Sequence, residues 1–221
     1  RLKHPVIRVL RWTANYDYTT NAAAAVVENR DFQGAFGVDF QNSDSLSVTY
    51  DRNYEFLPKN FPIARSVMVP RGAYDYQSVS GQYSMGKQRK VSGAVSASRG
   101  SFYNGTRSTG GFSGRVSISS RVVLETGITL NRVAMPFGDF SANLLTTRVV
   151  ITPSPRMQLA SLLQYNASAK AFTSSVRLRW EYTPGSDLFV VYSDGRDTDG
   201  RTLATLLNRT FAVQATRLLR F

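Results

Sequence analysis

Cysteine is absent from this chain and histidine occurs once, at His4. Without thiols there is no disulfide scaffold and no cysteine-ligated metal centre. A single histidine offers no cluster for a metal ion either, so neither cofactor nor metal is expected. Long apolar runs are also missing: no stretch reaches 18 apolar residues, which excludes a transmembrane helix but not a protein that crosses a membrane with strands. Acidic residues are few, 15 Asp and Glu against 27 Lys and Arg, for a formal net charge of +12. An excess of that size first suggests nucleic acid. Here the arginines are scattered singly, with no helix-turn-helix, zinc-finger or RNA-recognition signature, and nucleic acid is not expected as a partner. The chain opens on neither Met nor a charged-then-apolar leader, so it reads as a processed or internal part of a longer protein.

What the sequence does have is alternation. Leu10, Trp12, Ala14, Tyr16 and Tyr18 alternate with Arg11, Thr13, Asn15 and Asp17, the period of a strand with one apolar face. The pattern repeats with Phe32, Gly34, Phe36, Val38 and Phe40 against Asp31, Gln33 and Asp39, and then with Leu46, Val48 and Tyr50 against Asp51 and Asn53. Further on, Phe112 to Ile118, Val122 to Leu130, and Val176, Leu178, Trp180 and Tyr182 against Arg177, Arg179 and Glu181 carry it forward. Tyr74 to Met85 is extended with weaker alternation. Polar turns at 41–44 and 86–89, Asn104-Gly105 and Pro184-Gly185-Ser186 separate the segments, as do breaks at Pro136 to Asp139 and Pro153-Ser154-Pro155. Leu57 to Gly72 carries Pro58, Pro62 and Pro70 and predicts the longest loop; Asp194 to Asn208 predicts a second polar loop. The last segment, Thr210 to Phe221, predicts a strand with Phe211, Val213, Ala215, Leu219 and Phe221 on one face, together with Arg217.

About twelve strands result, with tight turns after the even ones and the long loops after odd ones. That asymmetry predicts an all-β, transmembrane, antiparallel up-and-down β-barrel in one domain spanning 1–221, either complete or the last twelve strands of a larger barrel. A soluble β-sandwich remains the alternative architecture. In the barrel reading Arg11, Asp31, Asp39, Asp51, Glu55, Arg115, Glu125, Arg177, Arg179 and Glu181 point inward and line a polar pore or an ion-paired plug. Trp12, Tyr16, Tyr18, Trp180, Tyr182 and Phe221 form interfacial aromatic girdles. Phe211, Val213, Leu219 and Phe221 form a terminal assembly signal for the barrel-assembly machinery.

Several runs resemble a known family: Asn53 to Pro58, Gly100 to Tyr103, Val176 to Tyr182, Pro184 to Tyr192, Gly195 to Thr198 and Asn208 to Phe211. They look like the carboxyl-terminal outer-membrane barrel of a bacterial family of uncharacterised function, whose amino-terminal domain resembles family-nine carbohydrate-binding modules. The resemblance implies a longer precursor, location in the Gram-negative outer membrane and no catalytic residues to transfer. The ending departs from the family where Phe is expected near Leu218 or Leu219.

Catalysis finds little support. His4 precedes the first strand, away from where a serine or aspartate hydrolase in an outer-membrane barrel would need its general base. Asp194, Asp197 and Asp199 give a faint suggestion of calcium. The expected function is therefore a non-enzymatic outer-membrane barrel, acting as a pore or as an anchor for a sugar-binding-like module. Expected partners are outer-membrane lipid, lipopolysaccharide and other envelope proteins. A soluble β-sandwich binding an anionic polymer, and lastly a barrel hydrolase, stand as alternatives.

Overall fold

The structure, a computed structural model, describes residues 4–23, 26–64, 67–199 and 205–218. Fifteen strands are present among them: β1 (Ile7–Thr20), β2 (Val27–Phe40), β3 (Ser45–Leu57), β4 (Phe61–Ala64), β5 (Val67–Val69), β6 (Gly72–Ser84), β7 (Val91–Phe102), β8 (Gly105–Ser119), β9 (Val122–Ala134), β10 (Phe140–Ser141), β11 (Leu144–Ser154), β12 (Met157–Asn166), β13 (Ala171–Thr183), β14 (Ser186–Asp197) and β15 (Thr205–Ala215). The twelve long strands pair in chain order in one up-and-down sheet, with β10 added beside β9, and β4–β5 form a separate hairpin. A β-sandwich needs two packed sheets of comparable size, and a four-plus-three-residue hairpin is not one. β1 and β15 end the sheet, each paired with one neighbour among the described residues.

The chain divides into two compact units. The first holds residues up to Lys87, Gly93–Phe112 and Thr129–Ala142; the second holds Gln88–Ser92, Ser113–Ile128 and the residues from Asn143 onward.

In the first unit, register sorts the side chains onto two faces. Leu10↔Val38, Trp12↔Phe36, Tyr16↔Phe32 and Phe36↔Val48 lie on one face; Arg11↔Gly37, Asn15↔Gln33, Asp31↔Asn53 and Gln33↔Asp51 lie on the other. The second unit repeats this, with Leu159↔Leu178, Val176↔Tyr192 and Val190↔Val213 on an apolar face and Arg177 and Arg179 opposite. A two-residue period can satisfy only one buried face at a time, so these strands were written for two different solvents.

Connections at the edge where the chain ends span 41–44, 85–90, 120–121, 155–156 and 184–185; those at the other, the loop edge, span 21–26, 58–71, 103–104, 135–143, 167–170 and 198–204. The expected asymmetry of loop lengths holds, with corrections. Of the polar run from Asp194 to Asn208, Asp194–Asp197 ends β14 and Thr205–Asn208 opens β15, and Asp194 pairs across the strands with Arg209 just after that run. The final strand begins at Thr205 and ends at Ala215, so Arg217 lies beyond it and not on its apolar face; Leu219 and Phe221 lie outside the described residues. Pro153 and Ser154 fall inside β11, beside a register shift.

The Asn104-Gly105 turn moves back by one position: Tyr103 takes the left-handed conformation, φ 48°, and Gly105 opens β8. Gly105 is needed for a different reason. A Cβ there would stand 2.1 Å from the Ala134 carbonyl oxygen. Gly105→Ala is expected to cost about 3 kcal/mol, the upper range for forced overpacking, read as a lower urea midpoint; an unchanged midpoint would show that β9 yields freely.

The long loop at 57–72 brings the largest correction. Its prolines keep it out of the main sheet, yet it folds into the β4–β5 hairpin and supplies the centre of the only cluster of buried apolar side chains among the described residues: Val67 and Val69 with Leu57, Tyr74, Tyr103, Val133 and Met135.

Candidate functional site

The hairpin determines where the candidate site lies. Leu57 pairs with Gly72 and Glu55 with Tyr74, in step with Asp51↔Ser78, so Leu57, Tyr74 and Tyr76 belong to the charged face, not the apolar one. The apolar cluster therefore sits on the polar side of the sheet, at its loop edge. Val69 is fully buried there, while Trp12 on the apolar side is 69% exposed. Tyr74, Tyr76, Phe102 and Tyr103 form a chain of ring contacts with centroids 4.8–5.9 Å apart. The Tyr74 hydroxyl donates to the Pro70 carbonyl at 2.7 Å, tying the base of the loop to β6.

Glu55 is bonded to two hydroxyls of this cap, while Arg107 lies over its Phe102 ring at 4.7 Å. Glu55 Oε2 accepts hydrogen bonds from the Tyr103 hydroxyl at 3.0 Å and the Tyr76 hydroxyl at 3.4 Å. Burial first, and the bond to Glu55 second, push the Tyr103 phenol well above its usual range, so it remains a donor.

Below the cap, the first unit's polar face carries Asp17, Asp31, Asp39 and Asp51 besides Glu55. Asp39 is held by Arg11 at 2.6 Å, with Arg8 at 3.9 Å. The others have no guanidinium partner among the described residues. Asp31 accepts from Asn29 Nδ2 at 2.6 Å and Asp51 from Gln33 Nε2 at 2.9 Å. Asp17 stands directly across from Asp31, a like-charge pairing that costs on the order of 0.2–1 kcal/mol. A hollow of about 260 Å³ lies among Asn15, Asp17, Asp31, Gln33, Asp51 and Asn53.

The second unit's polar face has the opposite character. Glu125 lies between Arg115 at 3.6 Å and Arg148 at 3.5 Å. Arg179 meets Asp187 at 3.2 Å, and Glu181 accepts from the Gly185 backbone N–H at 3.0 Å. Arg177, exposed between Ala160 and Val191, has no ion-pair partner among the described residues.

Within the first unit, then, Arg11, Asp31, Asp39, Asp51 and Glu55 share one face; within the second, Arg115, Glu125, Arg177, Arg179 and Glu181 do. Arg148, Asp187 and Asp17 join them, and the sequence offered only their place in the alternation. Among the expected girdle residues, Tyr16 and Tyr18 lie on the apolar face toward the loop edge, and Trp180 and Tyr182 on the apolar face toward the terminal edge. Trp12 is the sixth residue of β1, along the body of the strand and not at its end. Phe211 and Val213 lie on the apolar face opposite Tyr192 and Val190.

Asp194 is taken by Arg196 and Arg209, and Asp199 pairs with Lys170; among the described residues no group of three His, Cys, Asp or Glu is placed for a metal. His4 holds the chain locally, its Nδ1 accepting the Val6 and Ile7 backbone N–H at 3.2 and 3.1 Å at the start of β1.

No family model matches the chain. No curated protein matches it either, so the family resemblance rests on the sequence runs quoted for it. Solved structures that align with it include a KdgM porin in complex with disordered oligogalacturonate, at 12% identity and TM-score 0.35, covering 85% of this chain and 91% of that one. The NanC porin aligns at 10% identity and TM-score 0.40, over 87% of this chain and 94% of its own. A second KdgM porin structure aligns at 12% identity and TM-score 0.33, over 86% and 91%.

Proposed function

We propose that this chain is a bacterial outer-membrane β-barrel forming a polar passage for small hydrophilic solutes, with the β4–β5 hairpin narrowing the passage at its loop end. One observation carries the reading. In each unit large apolar side chains, Phe36 and Val48 in the first and Phe211 and Val213 in the second, are exposed on one face of the strands, while Arg11, Asp31 and Asp51 in the first and Arg177 and Arg179 in the second sit on the opposite face. In water that arrangement is inside out; in a bilayer the apolar face meets lipid and the charged face meets an aqueous lumen. Most long strands have 11–15 residues, enough for the 9–11 that cross a bilayer with a few beyond it.

Exposed ionic groups on the polar face favour a wet lumen over a packed one, which is why the pore reading leads and the anchor reading follows. An amino-terminal sugar-binding-like module is supported only by the resemblance of the quoted runs. A role for the last strand in recognition by the assembly machinery is supported by the apolar placement of Phe211 and Val213.

The test is electrophoresis of residues 1–221 refolded in detergent, with and without boiling. A closed barrel resists cold SDS and migrates faster than the boiled chain, and its planar-bilayer conductance should be stepwise. A fast band without conductance would replace the passage with a plugged anchor. Monodisperse folded protein without detergent would overturn the membrane reading altogether.

A further inference from the structure

The apolar face of the first unit contains a group of charges that lipid tails alone do not explain. Arg30, Arg52 and Asp75 all lie on it, in register with Tyr18, Phe32 and Tyr54 respectively. Arg52 grips Asp75 in a fork, Nε to Oδ1 at 3.2 Å and one terminal nitrogen to Oδ2 at 3.0 Å. Arg30 does not complete the same bond. Its nearest approach to Asp75 is 3.9 Å, its guanidinium lies over the Tyr54 ring at 5.2 Å, and it makes no hydrogen bond to the described residues. These groups border a groove of about 460 Å³ whose walls include Tyr16, Phe32 and Tyr50. Two guanidiniums against one carboxylate leave the groove with a formal charge of +1.

Depth decides what such a groove can meet. Arg30 and Asp75 each lie three residues from the loop-edge end of their strands, or about 10 Å at 3.3 Å per residue. A cation on the lipid face costs about 2–4 kcal/mol at the midplane and about 0–1 near the interface. This depth therefore matches the headgroup layer, where phosphate is the abundant anion. The second unit gives the contrast. Asp194, 5% exposed, is saturated by Arg196 and Arg209 at 3.0 and 3.2 Å with Tyr192 at 3.1 Å, so its charges are committed to each other. In the first unit the fork of Arg30 is held in place by Tyr54 and left open.

Building on the membrane reading, we infer that Arg30 and Arg52, backed by Tyr54, bind the phosphate of a phosphorylated glycolipid in the loop-side leaflet. The carboxylate of Asp75 competes for the same guanidiniums. The groove walls pack the sugar, as aromatic rings do against apolar sugar faces, and the bidentate guanidinium geometry fits phosphate oxygens.

The experiment uses wild type, Arg30→Gln and Asp75→Asn in vesicles of phosphatidylcholine containing either bis-phosphorylated or dephosphorylated lipid A, with retained lipid counted by native mass spectrometry after detergent extraction. Wild type should retain the phosphorylated form about tenfold better, the worth of one charge-assisted hydrogen bond. Arg30→Gln should abolish that preference while the cold-SDS band persists, since this side chain makes no hydrogen bond to the described residues. Asp75→Asn should strengthen it, whereas a merely structural ion pair would weaken the fold and leave retention unchanged. Equal retention of the two lipids, an unaffected Arg30→Gln, no gain with Asp75→Asn, or full displacement by inorganic phosphate would each overturn the inference. A wild-type chain with no cold-SDS band would instead bring down the membrane reading beneath it.

Discussion

Val69→Asp is expected to release the β4–β5 hairpin while the twelve-stranded sheet stays folded. Val69 is fully buried among Leu57, Val67, Tyr74, Tyr103, Val133 and Met135. A carboxylate at that place loses its water among apolar side chains, and two ionic groups bonded to the cluster, Glu55 on the Tyr103 hydroxyl and Asp139 on the Met135 N–H, have the same sign. Burying an unpaired ion costs several kcal/mol, more than a hairpin of seven strand residues anchored by one cluster can offset. Undocking is the cheaper response, because the main sheet does not run through β4 or β5. The expected signs are protease cleavage within 58–71 and a larger single-channel conductance, with the cold-SDS band unchanged. Val69→Ala, which removes two methyl groups for about 2 kcal/mol, should leave the hairpin docked. If Val69→Asp is cut by protease and still conducts like wild type, the hairpin does not govern the passage.

The second large effect concerns charge. Reversing Arg177 and Arg179 together changes the second unit's polar face by four charges. Arg177 has no ion-pair partner among the described residues, so its reversal acts on ions directly; Arg179 is shared with Asp187, so its reversal also sets that carboxylate free. One unit charge at 4 Å is worth about 1 kcal/mol even in bulk water, roughly a fivefold change in the local concentration of a small ion. Arg177→Glu/Arg179→Glu should therefore shift the reversal potential under a KCl gradient toward cation preference, by severalfold in permeability ratio, and the shift should shrink as salt screens it. Identical selectivity in the variant and wild type would mean these side chains do not line the conducting path.

Much of this was legible in the chain. A period of two is fixed by backbone geometry, so wherever apolar and polar residues alternate cleanly, as from Leu10 to Tyr18 or from Val176 to Tyr182, the strand and its two faces follow without further information. Turns marked by Pro-Gly or short polar runs follow for the same reason. Alternation failed as a guide where a face changes its solvent along one strand. Tyr74 and Tyr76 belong to the polar face because a loop folds over them, and Asp75 belongs to the apolar face because Arg52 waits across the strand. To a reading by polarity alone, those positions look merely irregular. Asp194 shows the same limit: a polar residue that reads as loop is the cross-strand partner of Arg209, and only pairing brings the two together.

Local pattern is enough for the class of the protein: antiparallel strands, one apolar and one charged face, and unequal connections on the two edges. Those features are local, set by the two-residue pleat and by residues that stop a strand. What stands at the ends of those faces comes from long-range packing. That packing placed the proline-bearing loop as a hairpin against the polar side, left Arg30 stacked on Tyr54 without a side-chain hydrogen bond to the described residues while Arg196 and Arg209 are bonded to Asp194, and gave Arg177 no ion-pair partner among them. Each of these depends on which strands become neighbours and in what register, a long-range choice that no window of sequence contains.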